Sequence, residues 1–239
     1  MPLNKRKISK LPSRIKSLYG SDSFYEARIL TFKPDRKPLE FRLNRYIKRT
    51  MDIAISFVVV TAFLSWLLPL LALLIKLTSK GPVFFIQERT GVAHKTFKCF
   101  KLRTMMLNED AHSVQTTQND PRITLFGKFL RKFSLDELPQ FFNVLIGDMS
   151  IIGPRPHMLK HTIEYSKQIE NFHLRQQIRP GITGLSQVEG YRGEVKDAYM
   201  LRSRVRLDLL YIKKWNAFLD LWIILKTVKL VILGDKNAY

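Results

Sequence analysis

Ile53-Ala-Ile-Ser-Phe-Val-Val-Val-Thr-Ala-Phe-Leu-Ser-Trp-Leu-Leu-Pro-Leu-Leu-Ala-Leu-Leu-Ile75 contains no charged residue, and how it sits in a membrane decides the fold of the chain. An uninterrupted apolar run of this length reads as a membrane helix. A long polar and basic stretch precedes it and no small-residue cleavage site follows, so it does not read as a secretory leader. Two features argue against a plain span. Arg45, Lys48 and Arg49 flank one end and Lys76 and Lys80 the other, and basic flanks favour the cytoplasmic side. Pro69 lacks the amide hydrogen that an inner helical turn needs. A split there leaves legs of about 24 Å and about 12 Å, at about 1.5 Å per residue, against about 30 Å of hydrocarbon. The sequence therefore predicts a re-entrant helix that breaks near Pro69 and returns, with Ser65 placed to satisfy freed backbone groups. A kinked ordinary span is the competing reading.

Working outward, residues 1–45 form a basic arm in which Pro12, Gly20, Pro34 and Pro38 interrupt any long helix, leaving room for short elements near 14–18 and 24–30. The membrane element occupies 46–78 and a cytosolic catalytic domain 79–205. Gly81-Pro-Val-Phe-Phe-Ile-Gln-Glu-Arg-Thr-Gly91 and Thr96 to Lys101 read as the two strands of a small β-hairpin. A basic amphipathic helix over 124–132, a helix at the carboxylates, and another over 157–175 follow, then Gly/Pro/Thr-rich loops at 179–193. Residues 206–239 alternate apolar clusters with Lys213, Lys214, Lys226 and Lys229, and add Trp215 and Trp222. That composition suits an interfacial amphipathic helix and tail. The expected fold is mainly α with a small β-hairpin, a membrane-associated catalytic domain with a re-entrant helix-break-helix and surface amphipathic helices.

The chemistry concentrates in Ser134-Leu-Asp-Glu-Leu-Pro-Gln140 and Gly153-Pro-Arg-Pro156. Pro139 fits a helix only in its first turn, which puts Asp136 and Glu137 at a helix start, where free amides favour ionised carboxylates and phosphate. Both acids are expected to be charged, and pointing about 100° apart they would do different jobs, one attacking while the other holds a metal. Ser134 and Glu137 also have the spacing of a capping box, the structural alternative. Arg131, Arg155 and Arg179 surround the pair, the last two beside prolines that stiffen the backbone, and a guanidinium fork matches phosphate oxygens. Lys101, Arg103, Arg89 and Arg122 are further candidates for phosphate or headgroup. His157 and His161 have i, i+4 spacing without the glutamate of a zincin pattern, Asp148 reads as orienting the loop that follows it, and Cys99 reads as packing.

Forty Lys and Arg against 20 Asp and Glu give a formal charge of +20, which calls for an anionic partner. Fourteen of the basic residues precede Met51, beside the membrane segment, which points to anionic lipid headgroups. A membrane-tethered polyanion-binding or scaffold protein is the alternative of another class. Against it, no zinc pattern or RNP-like stretch occurs and the basic residues are not interleaved with stacking aromatics, so nucleic acid is not an expected partner. A single cysteine rules out an internal disulfide, and no feature specifies an oligomeric state.

From Lys48 to Tyr239 the chain resembles the bacterial sugar transferase family, the monotopic polyprenyl-phosphate phosphoglycosyl transferases. The likeness is carried by Lys48-Arg-Thr-Met-Asp52, Gly81-Pro-Val-Phe-Phe85, Gln87-Glu-Arg-Thr-Gly91, Lys101-Leu-Arg-Thr-Met105, Asn119-Asp-Pro-Arg-Ile-Thr124, Ser134-Leu-Asp-Glu-Leu-Pro-Gln140, Gly147-Asp-Met-Ser150, Gly153-Pro-Arg-Pro156, Arg179-Pro-Gly-Ile-Thr-Gly184 and Ala238-Tyr239. The resemblance implies transfer of a sugar 1-phosphate from a UDP-sugar to polyprenyl phosphate at the bacterial inner (cytoplasmic) membrane, with the catalytic domain on its cytoplasmic face. It implies that Asp136 forms the covalent phosphosugar and expels UMP, that Glu137 helps bind Mg²⁺, and that the step opens exopolysaccharide or related glycan assembly. Larger relatives place membrane spans and a further domain before this part, where this chain has the basic arm. The arm and the Ala-Tyr ending resemble the hexose-1-phosphate enzymes more than the smallest acetamidosugar ones.

Overall fold

In the computed structural model, which describes residues 37–107, 117, 120–195 and 197–234, one helical run from Arg42 to Thr78 carries the apolar segment. The short elements expected within the arm, Asn119 and the Ala238-Tyr239 ending lie outside the described residues. Among these residues this is the one helix long and apolar enough to cross a membrane. It comprises α1 (Arg42–Val59), a π turn (Val60–Leu64) and α2 (Ser65–Thr78). The break expected near Pro69 is thus replaced by a change of hydrogen-bond register one turn earlier, and Pro69 stays inside α2. The physical reason is local. Pro69 cannot donate to the carbonyl of Ser65, and a wider turn ahead of it makes room for the ring. Ser65 does serve the backbone as expected, donating to the Thr61 carbonyl at 2.8 Å, while Thr61 and Trp66 cover the Phe57 and Ala62 carbonyls at 2.8 and 2.9 Å.

Both ends of this run rest on the same protein body. Near the start, Lys48 pairs with Asp220 at 2.9 Å, Arg49 donates to the Val144 and Leu145 carbonyls, and the Asp52 carboxylate accepts from Ser150 Oγ and the Ile151 amide, each at 3.0 Å. Near the end, Leu71 and Ile75 are buried in a cluster with Leu102 and Leu130. The Lys48-Arg-Thr-Met-Asp52 motif is therefore a docking device. Its three charged side chains face inward and are satisfied on the protein body.

The hairpin is present as expected. β1 (Phe84–Thr90) pairs antiparallel with β2 (Thr96–Leu102), with Phe85 opposite Lys101 and Gln87 opposite Cys99. Cys99 is packed in the core, 1% exposed. Helix α3 (Leu125–Lys132) is capped by Thr124 Oγ1, which accepts from the Gly127 amide at 2.9 Å. After it, the chain makes a 3₁₀ turn (Leu135–Glu137) and enters α4 (Gln140–Ile146), so Pro139 sits at the helix start as its chemistry demands. The capping box does not form. Ser134 is left-handed (φ 57°), and its hydroxyl accepts from Arg192 instead.

A second sheet escapes the sequence reading. β3 (Ser150–Ile152) runs parallel to β4 (Gly181–Thr183), within a stretch that reads as loop. Three-residue strands leave no periodicity to detect. Gly153 and Gly181 are glycines because the backbones touch. A Cβ on Gly153 would lie 2.5 Å from the Arg179 carbonyl oxygen and 2.9 Å from the Gly181 nitrogen. The helix expected over 157–175 is α5 (Leu159–Gln168) followed by a 3₁₀ segment (Phe172–Gln177). A short α6 (Leu185–Val188) precedes α7 (Ala198–Lys214) and α8 (Ala217–Leu233). Helix α7 runs through the expected boundary at 205/206 and is largely core, with Tyr211 and Ile212 each 1% exposed. Trp215, read as interfacial, is buried with its indole donating to Asp220 at 3.0 Å. Helix α8 instead carries the exposed apolar stripe of Phe218, Leu221, Leu225, Val228 and Ile232.

Candidate active site

Three separate pieces of chain converge on Glu137. Lys101 Nζ, from β2, lies 2.8 Å from Oε1, and Arg155, just past β3, makes a fork with Nη2 at 2.6 Å from Oε1 and Nη1 at 3.2 Å from Oε2. Arg192, in the loop after α6, comes within 3.6 Å of Oε2 while also holding Ser134 Oγ at 2.9 Å. Glu137 is buried, which by itself would raise its pKa, but Arg155, Lys101 and Arg192 outweigh that and hold it well below the usual carboxylate range.

Asp136, the adjacent residue, meets the opposite fate. It is 6% exposed, and its Oδ1 has no hydrogen-bond partner. Burial raises its pKa, partly countered by Lys101 and Arg131 and reinforced by the Glu137 charge. The two carboxylates, expected to be equally ionised, are thus split by environment. Glu137 is saturated with cations, and Asp136 keeps a bare, poorly solvated oxygen, the state in which a carboxylate is most nucleophilic.

Arg131, at the end of α3, donates Nε to Thr104 Oγ1 at 2.8 Å, within electrostatic reach of both acids. Arg89 shares the hairpin face with Lys101, and its Nη1 holds the Pro156 carbonyl at 2.8 Å. Arg89, Lys101, Arg131, Arg155 and Arg192 face two carboxylates, a formal excess of three positive charges in a buried site. Such a site suits a multiply charged anion, and a pyrophosphate has the right sign.

Beneath this lies a support that sequence reasoning missed. Arg175 Nη2 donates to the Arg155 carbonyl at 2.9 Å and its Nε to Asp208 at 2.7 Å, and Ser186 donates to the same carboxylate at 2.7 Å. Arg204 holds the Gly193 carbonyl at 3.0 Å beside Arg192. Burial and its neighbours Arg155 and Arg175 bring its pKa down to about 10. Arg192 sits in no rigid motif; its one signal is the glycine on each side, in Gly190-Tyr-Arg-Gly193.

Three expected phosphate ligands are elsewhere. Arg103 is turned to the end of the membrane helix, holding the Ser79 carbonyl at 2.8 Å, Ser79 Oγ at 3.0 Å and the Lys80 carbonyl. Arg179 donates Nε to the Gly147 carbonyl at 2.7 Å, at the far end of α4 from the acids. Arg122 is taken by Asp120, whose pKa its hydrogen bonds bring down to about 2. His157 packs edge-on to Tyr165 with ring centroids 5.3 Å apart, and His161 bonds Glu164 at 3.2 Å. Among the described residues no three or more His, Cys, Asp or Glu side chains are grouped to hold a metal.

The sequence profile of the bacterial sugar transferase family matches residues 43–234, which takes in every element of this site. The chain belongs to that family. It is 47% identical over 198 residues to the UDP-glucose:undecaprenyl-phosphate glucose-1-phosphate transferase of Klebsiella pneumoniae, covering 82% of this chain and 42% of that protein. It is 45% identical over 213 residues to the transferase of the same name from Caulobacter vibrioides, covering 89% and 79%. The exopolysaccharide production protein ExoY of Rhizobium meliloti is 39% identical over 203 residues, covering 78% and 86%. The chain spans about two fifths of the length of the Klebsiella relative and most of the other two.

Proposed function

We propose that the protein transfers a hexose 1-phosphate, with glucose the first candidate, from a UDP-sugar to undecaprenyl phosphate, releasing UMP and opening exopolysaccharide assembly. The observation that carries this is the bare Oδ1 of Asp136 beside a cation-saturated Glu137. In the first step the Asp136 carboxylate attacks the phosphorus that bears the sugar. An O–P bond forms, the bridging P–O bond to the uridine phosphate breaks, and UMP carries the electron pair away. In the second step a phosphate oxygen of the lipid attacks the same phosphorus and the Asp136 carboxylate leaves. Arg155, Lys101 and Arg192 form a preorganised cationic wall for charge spread over the phosphoryl oxygens.

Mg²⁺ is usually held by one or two carboxylates with substrate phosphate completing the shell, so with Glu137 already paired to Lys101 and Arg155 the ion would enter together with the donor pyrophosphate. Glu137 Oε2, whose contacts are the longer ones at 3.2 and 3.6 Å, would hold it beside Asp136. When bound it would neutralise pyrophosphate charge.

The membrane element is read as re-entrant on the cytoplasmic face. A straight helix from Arg49 to Ile75 would be about 39 Å long at about 1.5 Å per residue, more than the hydrocarbon thickness of about 30 Å. A spanning helix would put those residues on opposite sides. Here Arg49 binds α4 and Ile75 packs on β2, and α4 and β2 are joined by the Asn143 carboxamide on the Phe100 amide at 3.0 Å. The cations converge on buried carboxylates and backbone carbonyls, which disfavours the polyanion-binding alternative.

The test is UMP release from UDP-sugars with undecaprenyl phosphate and Mg²⁺, comparing wild type with Asp136→Asn. Lipid-dependent release by the wild type and none by the variant is expected. Release that survives in the variant would refute Asp136 as nucleophile.

A further inference from the structure

Arg179 is a residue in search of a ligand. The Gly147 carbonyl it holds is about 15 Å along the chain from Glu137, taking about 1.5 Å per residue, so it serves another purpose than the reacting phosphates. Its guanidinium and that of Arg49 meet at the C-terminal end of α4. Arg49 holds the Val144 and Leu145 carbonyls at 2.7 and 3.1 Å, Arg179 holds the Gly147 carbonyl at 2.7 Å, and the charge of Arg179 adds to burial in lowering the pKa of Arg49. Neither forms an ion pair with a carboxylate among the described residues, and Arg179 is exposed. The backbone contacts fix both forks and leave the Nη groups of Arg179 free to bind.

The surroundings identify what would fill the gap. Between the two arginines in sequence, Ile146 is 66% exposed, and on α1 the side chains of Tyr46, Ile53 and Phe57 form an exposed stripe beside Arg49. A tyrosine, then aliphatic and aromatic residues leading into an uncharged segment, is the order met when passing from headgroups into hydrocarbon. A ligand that satisfies the Nη groups of Arg179, within the field of the Arg49 charge, and an apolar stripe at once carries an anionic head and a hydrocarbon tail.

We infer that Arg49 and Arg179 form a specific site for the phosphate of one anionic glycerophospholipid, whose acyl chains lie along Ile53 and Phe57. The site is distinct from that of the reacting lipid phosphate, and it makes Arg179 a sensor of membrane charge at the end of α4. A doubly cationic clamp discriminates against a zwitterionic headgroup, whose own ammonium opposes it.

Native mass spectrometry of the full chain in detergent with phosphatidylglycerol, phosphatidylcholine or undecaprenyl phosphate tests this without any activity readout. The wild type should retain one phosphatidylglycerol in preference to phosphatidylcholine. Loss of one basic contact near an anionic surface is worth about 1 kcal/mol, so Arg179→Gln should weaken retention about fivefold. Arg179→Lys, which keeps the charge but not the fork, should fall between, and both variants should keep the wild-type circular dichroism spectrum. Equal retention by wild type and Arg179→Gln would overturn the site. So would displacement of the lipid by an equal concentration of inorganic phosphate, or a preference for undecaprenyl phosphate that Arg179→Gln abolishes. Failure of the proposed transferase activity would leave all these outcomes readable.

Discussion

Replacing Glu137 by glutamine removes the anion around which the buried cations are arranged. The carboxylate is 7% exposed and receives two bonds from Arg155 and one from Lys101, with Arg192 at 3.6 Å. Breaking a buried pair by removing one partner costs about 3–5 kcal/mol, because the surviving charge is left without compensation. In a domain of this size 1 kcal/mol moves the melting temperature by about 2–4 °C, so Glu137→Gln should melt about 6–20 °C below wild type at pH 7. The pH dependence has a definite sign. Glu137 has a depressed pKa, so its contribution is present above the ordinary carboxylate range and is lost as pH falls through its lowered value. The gap between variant and wild type should therefore stay constant from pH 8 to about 5 and close only well below about 4.3. Thermal unfolding of the detergent-solubilised protein, followed by tryptophan fluorescence across that range, measures both. A gap under about 2 °C at pH 7, or one that closes near pH 6, would refute the assignment of Glu137 as the anion that organises the site.

Asp136→Asn should behave with the opposite sign. Its raised pKa means that ionisation costs stability as pH rises, so the variant should melt no lower than wild type at pH 7 while losing turnover. Gly153→Ala introduces a methyl 2.5 Å from the Arg179 carbonyl oxygen, which must push β3 from β4 and carry Arg155 with it. A fall in kcat of about 10²-fold, the scale of a 1 Å misplacement, is expected, with folding retained by circular dichroism. Arg103→Gln removes three contacts to Ser79 and Lys80 and none to the acids, so the melting temperature should fall while KM for the UDP-sugar stays unchanged.

What could be read in the sequence was what local chemistry dictates. Pro139 marks a helix start wherever it stands, Thr124 caps, and alternation in Phe84–Thr90 and Thr96–Leu102 gives a hairpin. The carboxylate pair was legible for the same reason. The rest depends on contacts distant in sequence. Nothing near Arg103 says that it faces Ser79 across 24 residues, and nothing near Arg175 says that it braces the Arg155 carbonyl. Trp215 and Trp222 look alike in sequence, yet one is buried on Asp220 and the other lies under Lys226 at 4.0 Å, because α7 turns inward just before the first. The capping box failed through competition. Ser134 and Glu137 had the right spacing, but arginines from elsewhere in the chain offered stronger charge-assisted bonds than backbone amides.

The same contacts account for part of the positive charge of a chain of formal charge +20. Arg49, Arg89, Arg103, Arg175, Arg179 and Arg204 each donate to a backbone carbonyl: those of Val144 and Leu145, Pro156, Ser79, Arg155, Gly147 and Gly193. These carbonyls sit in loops and at helix ends, where main-chain partners run out. A guanidinium suits the position because it stays charged, reaches far and binds with several donors in one plane. Arg103, Arg175 and Arg204 are internal struts, and being buried they are little screened by salt. Arg179 differs from the rest in being exposed, so ionic strength should act on lipid attachment through it far more than on the geometry around Asp136. Excess positive charge in this chain thus has two separable roles. Inside, it replaces missing main-chain partners and surrounds the two carboxylates with cations; at the membrane edge, it is available to lipid.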